Sequence, residues 1–254
     1  MHTIVLATQK GGSGKSTLAI GLAVAAMQDG HVVRMIDADR QRTIANWQRR
    51  RPNAEPGVEA ITNVGELERR LQILDRSGVN LTIIDTAAGV TPMTAAAIRC
   101  ADLCLIPARP SPVDIEATAP TLSTIRALDK PFAFVLNQAP SGNRRVAGAT
   151  TSLGNAASAL DLAGLVAKPS IAMRTDYQDA LGRGLAVTEF APSGRSAEEM
   201  RGLWQWVATR LMALTPAAQL LASAQADLTA AYSRAVILPW LSWCPWLSSS
   251  YWPS

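Results

Sequence analysis

Near the N-terminus, Lys10-Gly11-Gly12-Ser13-Gly14-Lys15-Ser16-Thr17 sets three glycines between two lysines, directly after the apolar run Thr3–Thr8. Glycine-rich backbone lets several N–H groups converge on one anion, and a helix opening at the same place adds its positive end. In that setting Lys15 supplies a point charge for the β- and γ-phosphates of a nucleotide, and Ser16 offers a hydroxyl to Mg²⁺. The general pattern wants glycine at position 9; Gln9 stands there instead, and Lys10 sits just before the glycines. Three carboxylates fall at the ends of later apolar runs. Asp85 can hold the shell of a Mg²⁺ ion through water. Asp37 and Asp39 are two residues apart and project to one side if their strand continues. Phosphoryl transfer to water needs neutralised charge and a placed nucleophile more than covalent help, and these residue types supply both.

Positioning them requires elements that deliver loop and carboxylates to one edge. Short apolar runs at Thr3–Thr8, Val32–Ile36, Leu81–Ile84, Leu103–Ile106 and Phe132–Leu136, with a weaker one near Leu165–Ala167, alternate with helical spacing. The helical segments are Ser16–Gln28, Gly65–Arg76, Thr91–Cys100, Val113–Asp129 and Val146–Leu160. Continuous apolar strands separated by helices predict an α/β domain whose mostly parallel sheet is covered on both faces. Ligands bind such sheets at the carboxyl ends of the strands, where the residues above lie. Ser196-Ala197-Glu198-Glu199 reads as a capping box opening a helix with Met200, Leu203, Val207 and Leu211 as its buried stripe. Residues 216–234 suggest one more helix. We divide the chain into an ATPase domain, residues 1–234, and a tail, residues 235–254. The tail has no charged residue, but carries Trp240, Trp243, Trp246, Trp252 and three prolines that exclude a long regular helix.

The length of 254 residues suits one domain with a real core, and a 48% hydrophobic content argues against a disordered chain. Net charge is +4, and Lys10, Lys15, Lys130 and Lys168 are the only lysines among 24 basic residues. Such a balance admits an anionic partner such as nucleic acid without requiring one. Cys100, Cys104 and Cys244 form neither a disulfide framework nor a zinc spacing. The first residues carry no basic leader, and no uninterrupted charge-free apolar stretch is long enough for a spanning helix, so a cytoplasmic location is expected.

Lys10–Thr17 resembles the deviant Walker A motif of the ParA/MinD superfamily, and the resemblance runs over residues 3–214. Ile36-Asp37-Ala38-Asp39-Arg40-Gln41 is similar to that family's Asp-x-Asp-Pro-Gln, with Arg40 in place of proline. Ile83-Ile84-Asp85-Thr86-Ala87-Ala88-Gly89 is similar to its Walker B, with two alanines in place of the usual prolines. Both departures loosen loops while keeping every charged group. Ile106–Asp114 resembles the strand-to-helix turn of small plasmid-type ParA proteins, and Val135-Leu136-Asn137 the strand end whose Asn reaches the adenine. The resemblance implies an ATP- and Mg²⁺-dependent ATPase. Asp39 would orient the attacking water, Asp37 would support the metal region, and Lys10 would reach the partner's ATP in a nucleotide-sandwich homodimer.

A small ParA protein would partition plasmid or chromosomal DNA with a ParB-like centromere-binding adaptor, and would associate with the nucleoid by gripping DNA nonspecifically. Arg144, Arg145, Arg174, Arg183, Arg195 and Arg201 are the candidate contacts. With the first strand read from residue 3, no helix-turn-helix domain is expected before it. Related positioning ATPases for cell division, carboxysomes, chemoreceptors or conjugative transfer share every motif and stay open. A MinD-like membrane anchor would want a cationic amphipathic helix, and the tail has no cation, so no membrane partner is expected.

Overall fold

The structure, a computed structural model, describes residues 1–140 and 165–214. The chain divides into two compact units, residues 1–209 and 210–254. Val146–Leu160, residues 216–234, the Trp-rich tail, Arg144 and Arg145 lie outside the described residues.

The first unit is built on a six-stranded sheet. Its strands are β1 (His2–Leu6), β2 (Val33–Ala38), β3 (Gly57–Ala60), β4 (Leu81–Thr86), β5 (Leu103–Ala108) and β6 (Phe132–Leu136). Their order is β3-β2-β4-β1-β5-β6, and every pairing is parallel. Helices α1 (Lys15–Gln28), α2 (Thr43–Arg50), α3 (Val64–Arg76) and α4 (Pro92–Cys100) connect the first five strands. The sequence puts Ile4, Val5, Leu6, Ile83, Ile84, Leu103, Leu105 and Ile106 in unbroken apolar runs, and each is wholly buried because helices cover both faces. α1 is buried from Leu18 through Ala26, so it is apolar all round, as a central helix must be.

The observed elements correct several expectations. The helix expected over Val113–Asp129 is two, α5 (Pro112–Glu116) and α6 (Ala119–Ala127). Pro120 lies in the first turn of α6, and its missing N–H cannot extend the ladder of α5. The weak run at Leu165–Ala167 makes only an isolated parallel bridge, Val166 to Phe134. Beyond it come α7 (Thr175–Gly182), α8 (Val187–Phe190) and α9 (Arg195–Ala213). Met200, Leu203, Val207 and Leu211 are buried on α9 as expected, but no Ser196 capping box forms. The helical bonds start from the Gly194 carbonyl, Ser196 Oγ donates to Asp176, and Glu199 turns to the Ala172 N–H and Arg174. Tertiary partners outbid the local cap. Among the described residues no helix is long and apolar enough to cross a membrane.

α2 and β3 escape the apolar-run criterion because they are short and amphipathic at most. What fixes α2 is a knot around two side chains. Trp47 is 1% exposed and donates its Nε1–H to the Leu185 carbonyl at 3.2 Å. Arg51 lies over the Trp47 ring and grips Glu189 with two hydrogen bonds of 2.7 and 2.8 Å. It also donates to the carbonyls of Glu55 and Gly184. Burial pushes the Glu189 carboxyl up, but the Arg51 bonds and the Ala186 N–H outweigh it and hold the group below its usual range. Its contribution is therefore complete above the unfolded carboxylate's pKa and is lost as pH falls through the lower folded value. We expect Arg51→Met to cost about 3 kcal/mol, measured as a urea midpoint shift at pH 7, because it strands a partly buried carboxylate. The double variant Arg51→Met with Glu189→Leu should recover part of that loss; additive losses would refute the ion-pair account.

Candidate functional site

The sheet order carries β1 to the centre, so the loop after it opens at the carboxyl edge between the exits of β4 and β5. Residues 7–14 lead from β1 into α1, with Gly12 at φ 71° and Gly14 at φ 88°. A Cβ on Gly14 would collide with the Asn137 side-chain amide, so both conformation and space demand glycine there. Three side chains hold the outer surface of the loop. Asn137 donates to the Ser13 carbonyl at 2.7 Å, Gln138 to the Gly12 carbonyl at 3.1 Å, and Arg109 to the same Gly12 carbonyl at 2.9 Å. The braced loop ends at the N-terminus of α1, where the first amides of a helix lack intrahelical partners and form a cradle for an anion.

Below the cradle lie the charged groups. Lys15 is buried, which lowers its pKa, while Asp85 and Asp39 pull it back up. Ser16 Oγ donates to Asp85 Oδ2 at 2.6 Å. Asp85 is wholly buried, and its Oδ1 has no hydrogen-bond partner. Burial pushes this carboxyl up to about 7, against the pull of Ser16 and Lys15 and with the help of Asp37 and Asp39. A buried carboxylate oxygen without a partner is costly unless something cationic or protic completes it. A hard divalent cation fits: its usual ligands are a hydroxyl, water and substrate phosphates, with a carboxylate in reach. The residues present therefore suit Mg²⁺ at Ser16 and Asp85.

Strand alternation does not decide whether Asp37 and Asp39 share one side, though both act on Asp85. β2 ends at Ala38, so strand alternation stops short of Asp39. Asp37 pairs in register with Asp85 and is wholly buried; its two oxygens accept from the amides of Asp39 at 3.2 Å and Ala45 at 3.0 Å. It braces the loop and the start of α2. Burial raises its pKa, and those amide bonds oppose the rise. Asp39 is partly exposed and uses Oδ1 to hold the Gln41 amide at 3.0 Å.

Lys10 is tied within its own chain. Its Nζ lies 2.7 Å from Asp114 Oδ1, in the first turn of α5. Burial raises the Asp114 carboxyl, but Lys10 and Ser111 outweigh it and hold it below the usual carboxylate range.

A cavity of about 280 Å³ adjoins the loop, lined in part by Gly14, Thr17, Arg109, Asn137, Gln138 and Arg174. Asn137 is thus where an adenine contact would require it, although its NH₂ group is already used on the loop. Arg174, considered above for DNA, lines this cavity and is clamped by Glu199 at 2.6 Å. Arg183 is exposed and lies over the Phe190 ring; Arg195 is exposed at the start of α9, and Arg201 bonds to the Pro192 carbonyl. Arg109, Gln138 and Asp114 were assigned no role from sequence. The signal available was that Arg109 and Asp114 follow β5, beside β1.

The family model described as VirC1 protein matches residues 1–167. A protein named ParA from Rhizobium radiobacter is 32% identical over 142 residues, which is 54% of this chain and 63% of the relative. Protein virC1 of Rhizobium rhizogenes is 30% identical over 131 residues, 50% of this chain and 55% of the relative. The chain thus spans less than two thirds of the length of these curated relatives. The fold is similar to that of apo McdA from Cyanothece, with a TM-score of 0.64, 22% identity, and coverage of 82% of this chain and 99% of the other. Glycine loop, Ser16–Asp85 pair and the strands that carry them thus fall within one matched stretch: the chain belongs to the VirC1 family.

Proposed function

We propose that this chain is a ParA-type, Mg²⁺-dependent ATPase that dimerises around ATP and, as the dimer, holds DNA without sequence preference to partition or position it. The observation that carries the ATPase reading is the orphaned Asp85 Oδ1 beside the Ser16 hydroxyl, directly under the glycine loop. Ser16 and Asp85 would hold Mg²⁺, which would supply charge neutralisation for the nucleotide's phosphates. The loop amides bind the phosphates, and Lys15 adds a desolvated point charge whose burial makes it a stronger electrostatic partner than a surface lysine. Asp39 sits at the mouth of the site with its backbone pinned to the Arg42 amide, and its carboxylate orients the attacking water. Asn137 sets the base against the loop it already braces. Residues 1–234 form the working ATPase domain, and the tail beyond is an appendage to it.

The DNA reading rests on charge: a net +4 chain rich in arginine, with Arg183 exposed at the end of α7 and Arg195 exposed at the start of α9. A monomer offers few phosphate contacts and a dimer twice as many, so ATP should create DNA affinity. We expect a DNA titration with a slowly hydrolysed ATP analogue to show binding that falls with salt at a log–log slope near −0.9 per phosphate neutralised. Arg183→Ala or Arg195→Ala should flatten that slope by about two units, one for each subunit of the dimer, and leave nucleotide binding unchanged. Equal, weak binding with ADP and with the analogue would remove the DNA function and leave the ATPase.

A further inference from the structure

The cavity beside the loop presents two guanidinium groups, and only one is neutralised. Arg174 is held by Glu199 at 2.6 Å, and Glu199 also accepts from the Ala172 amide, so that charge is spent within the wall. Arg109 is exposed, and among the described residues its one hydrogen bond goes to a neutral carbonyl, that of Gly12. The nearby carboxylate, Asp114, is already engaged by Lys10 at 2.7 Å and by the Ser111 hydroxyl. The local balance of Lys10, Arg109 and Asp114 is therefore one positive charge in excess, at the rim of a cavity that Gly14 and Thr17 also line.

Purine bases are neutral, so a guanidinium beside one gains only a modest stacking contact, weaker than a charge-assisted, forked bond to a phosphate. The anionic part of a nucleotide must, however, pass from the loop to the base along the Gly14–Thr17 side of this cavity. A guanidinium with one N–H group on Gly12 keeps four donors, and its planar fork suits phosphate oxygens. We infer that Arg109 is a nucleotide-contacting residue: it binds the phosphate chain of the nucleotide in its own subunit where that chain leaves the glycine loop. This inference rests on the ATP reading above and adds a second cation, supplied in cis from the β5 exit, to Lys15.

A bland alternative exists in the same hydrogen bond: Arg109 merely braces Gly12. The two roles separate by substitution, because Gln at 109 keeps a neutral donor for the Gly12 carbonyl and Lys keeps a charge. The experiment measures dissociation constants for ATP, ADP and adenosine by calorimetry on the full chain and on Arg109→Ala, Arg109→Gln and Arg109→Lys. The side chain is exposed, so thermal melts should confirm unchanged folding. We expect Arg109→Ala and Arg109→Gln to lose roughly tenfold or more in ATP and ADP affinity, the loss of one charge-assisted contact. Arg109→Lys should recover most of it, and adenosine affinity should not move. Recovery by Gln as good as by Lys would overturn the inference in favour of a loop brace. Equal ATP affinity in wild type and Arg109→Ala would overturn it outright, and so would an equal loss for adenosine. Absence of ATP binding by the wild type, unlike these outcomes, would be a failure of the ATPase reading itself.

Discussion

Lys10→Ala is expected to bind ATP normally through Lys15 and the loop backbone, fail to form an ATP-dependent dimer, and lose about 10³ of stimulated turnover. The size follows from the trans role, in which Lys10 meets charge that develops in the partner's site, as arginine fingers do. The described chain holds Lys10 elsewhere, against Asp114 at 2.7 Å, so the side chain has to change partners. The cost of that exchange decides whether it is feasible. Lys10 is 39% and Asp114 12% exposed, so the pair is half-buried and worth about 1 kcal/mol or slightly more. A charge-assisted bond to a phosphate in a water-excluded interface is worth about 1.5–3 kcal/mol. The partner's nucleotide wins. Asp114→Asn, which weakens the competing hold, should therefore dimerise at an ATP concentration no higher than wild type. Light scattering with ATP and steady-state turnover on the same preparations provide the check. A Lys10→Ala variant that dimerises like wild type would remove the main reason for the sandwich.

Asp39→Ala is expected to keep ATP affinity within about twofold and to lose about 10²–10⁴ in turnover, the usual worth of a positioned acid–base group. The carboxylate is partly exposed, and its described hydrogen bond is to the Gln41 amide, so its removal strands no buried group. Asp37 provides the contrast. It is wholly buried and holds two amides, so Asp37→Ala should destabilise the fold by about 1–3 kcal/mol, visible as an earlier thermal melt. Activity lost in both variants would mean nothing without the melt; activity lost in Asp39→Ala with an unchanged melt locates the chemistry. Undiminished turnover in Asp39→Ala would end its assignment to the water.

How much of this was legible in the sequence depended on whether a signal was local. β1, β2, β4, β5 and β6 announce themselves because a strand buried on both faces must be a continuous apolar run. β3 is four residues at the sheet edge, Gly57-Val58-Glu59-Ala60, half exposed and with a carboxylate in its middle, so no run exists to find. α2 has only Ile44 and Trp47 buried, and its anchor Arg51 acts through Glu189, 138 residues away. The phosphate loop and Asp85 were legible because each motif lies within a few residues and at a strand exit. Arg109 was not, since its contact with Gly12 spans 97 residues and exists only because β5 pairs with β1. The side-chain bond of Gln138 to Gly12 spans 126 residues and depends on β6 lying next to β5. Ser196 shows the converse: a local cap signature was present, and the part-buried Asp176 took the Ser196 hydroxyl while Tyr177 donates to its carbonyl.

The brace from Asn137 to Ser13 also sets an order of events during synthesis. The glycine loop leaves the ribosome well before its brace does: the amide that fixes it arrives 124 residues later. At 5–20 residues per second that is a delay of roughly 6–25 s. β1 meanwhile waits for β4 and β5, its only neighbours in the sheet, which begin at Leu81 and Leu103. For that interval the strand Thr3-Ile4-Val5-Leu6 is an unpaired apolar segment, open to chaperones and to mispairing. Nascent chains arrested before Asn137 emerges should accordingly leave residues 7–14 open to proteolysis, and chains arrested well after it should protect them.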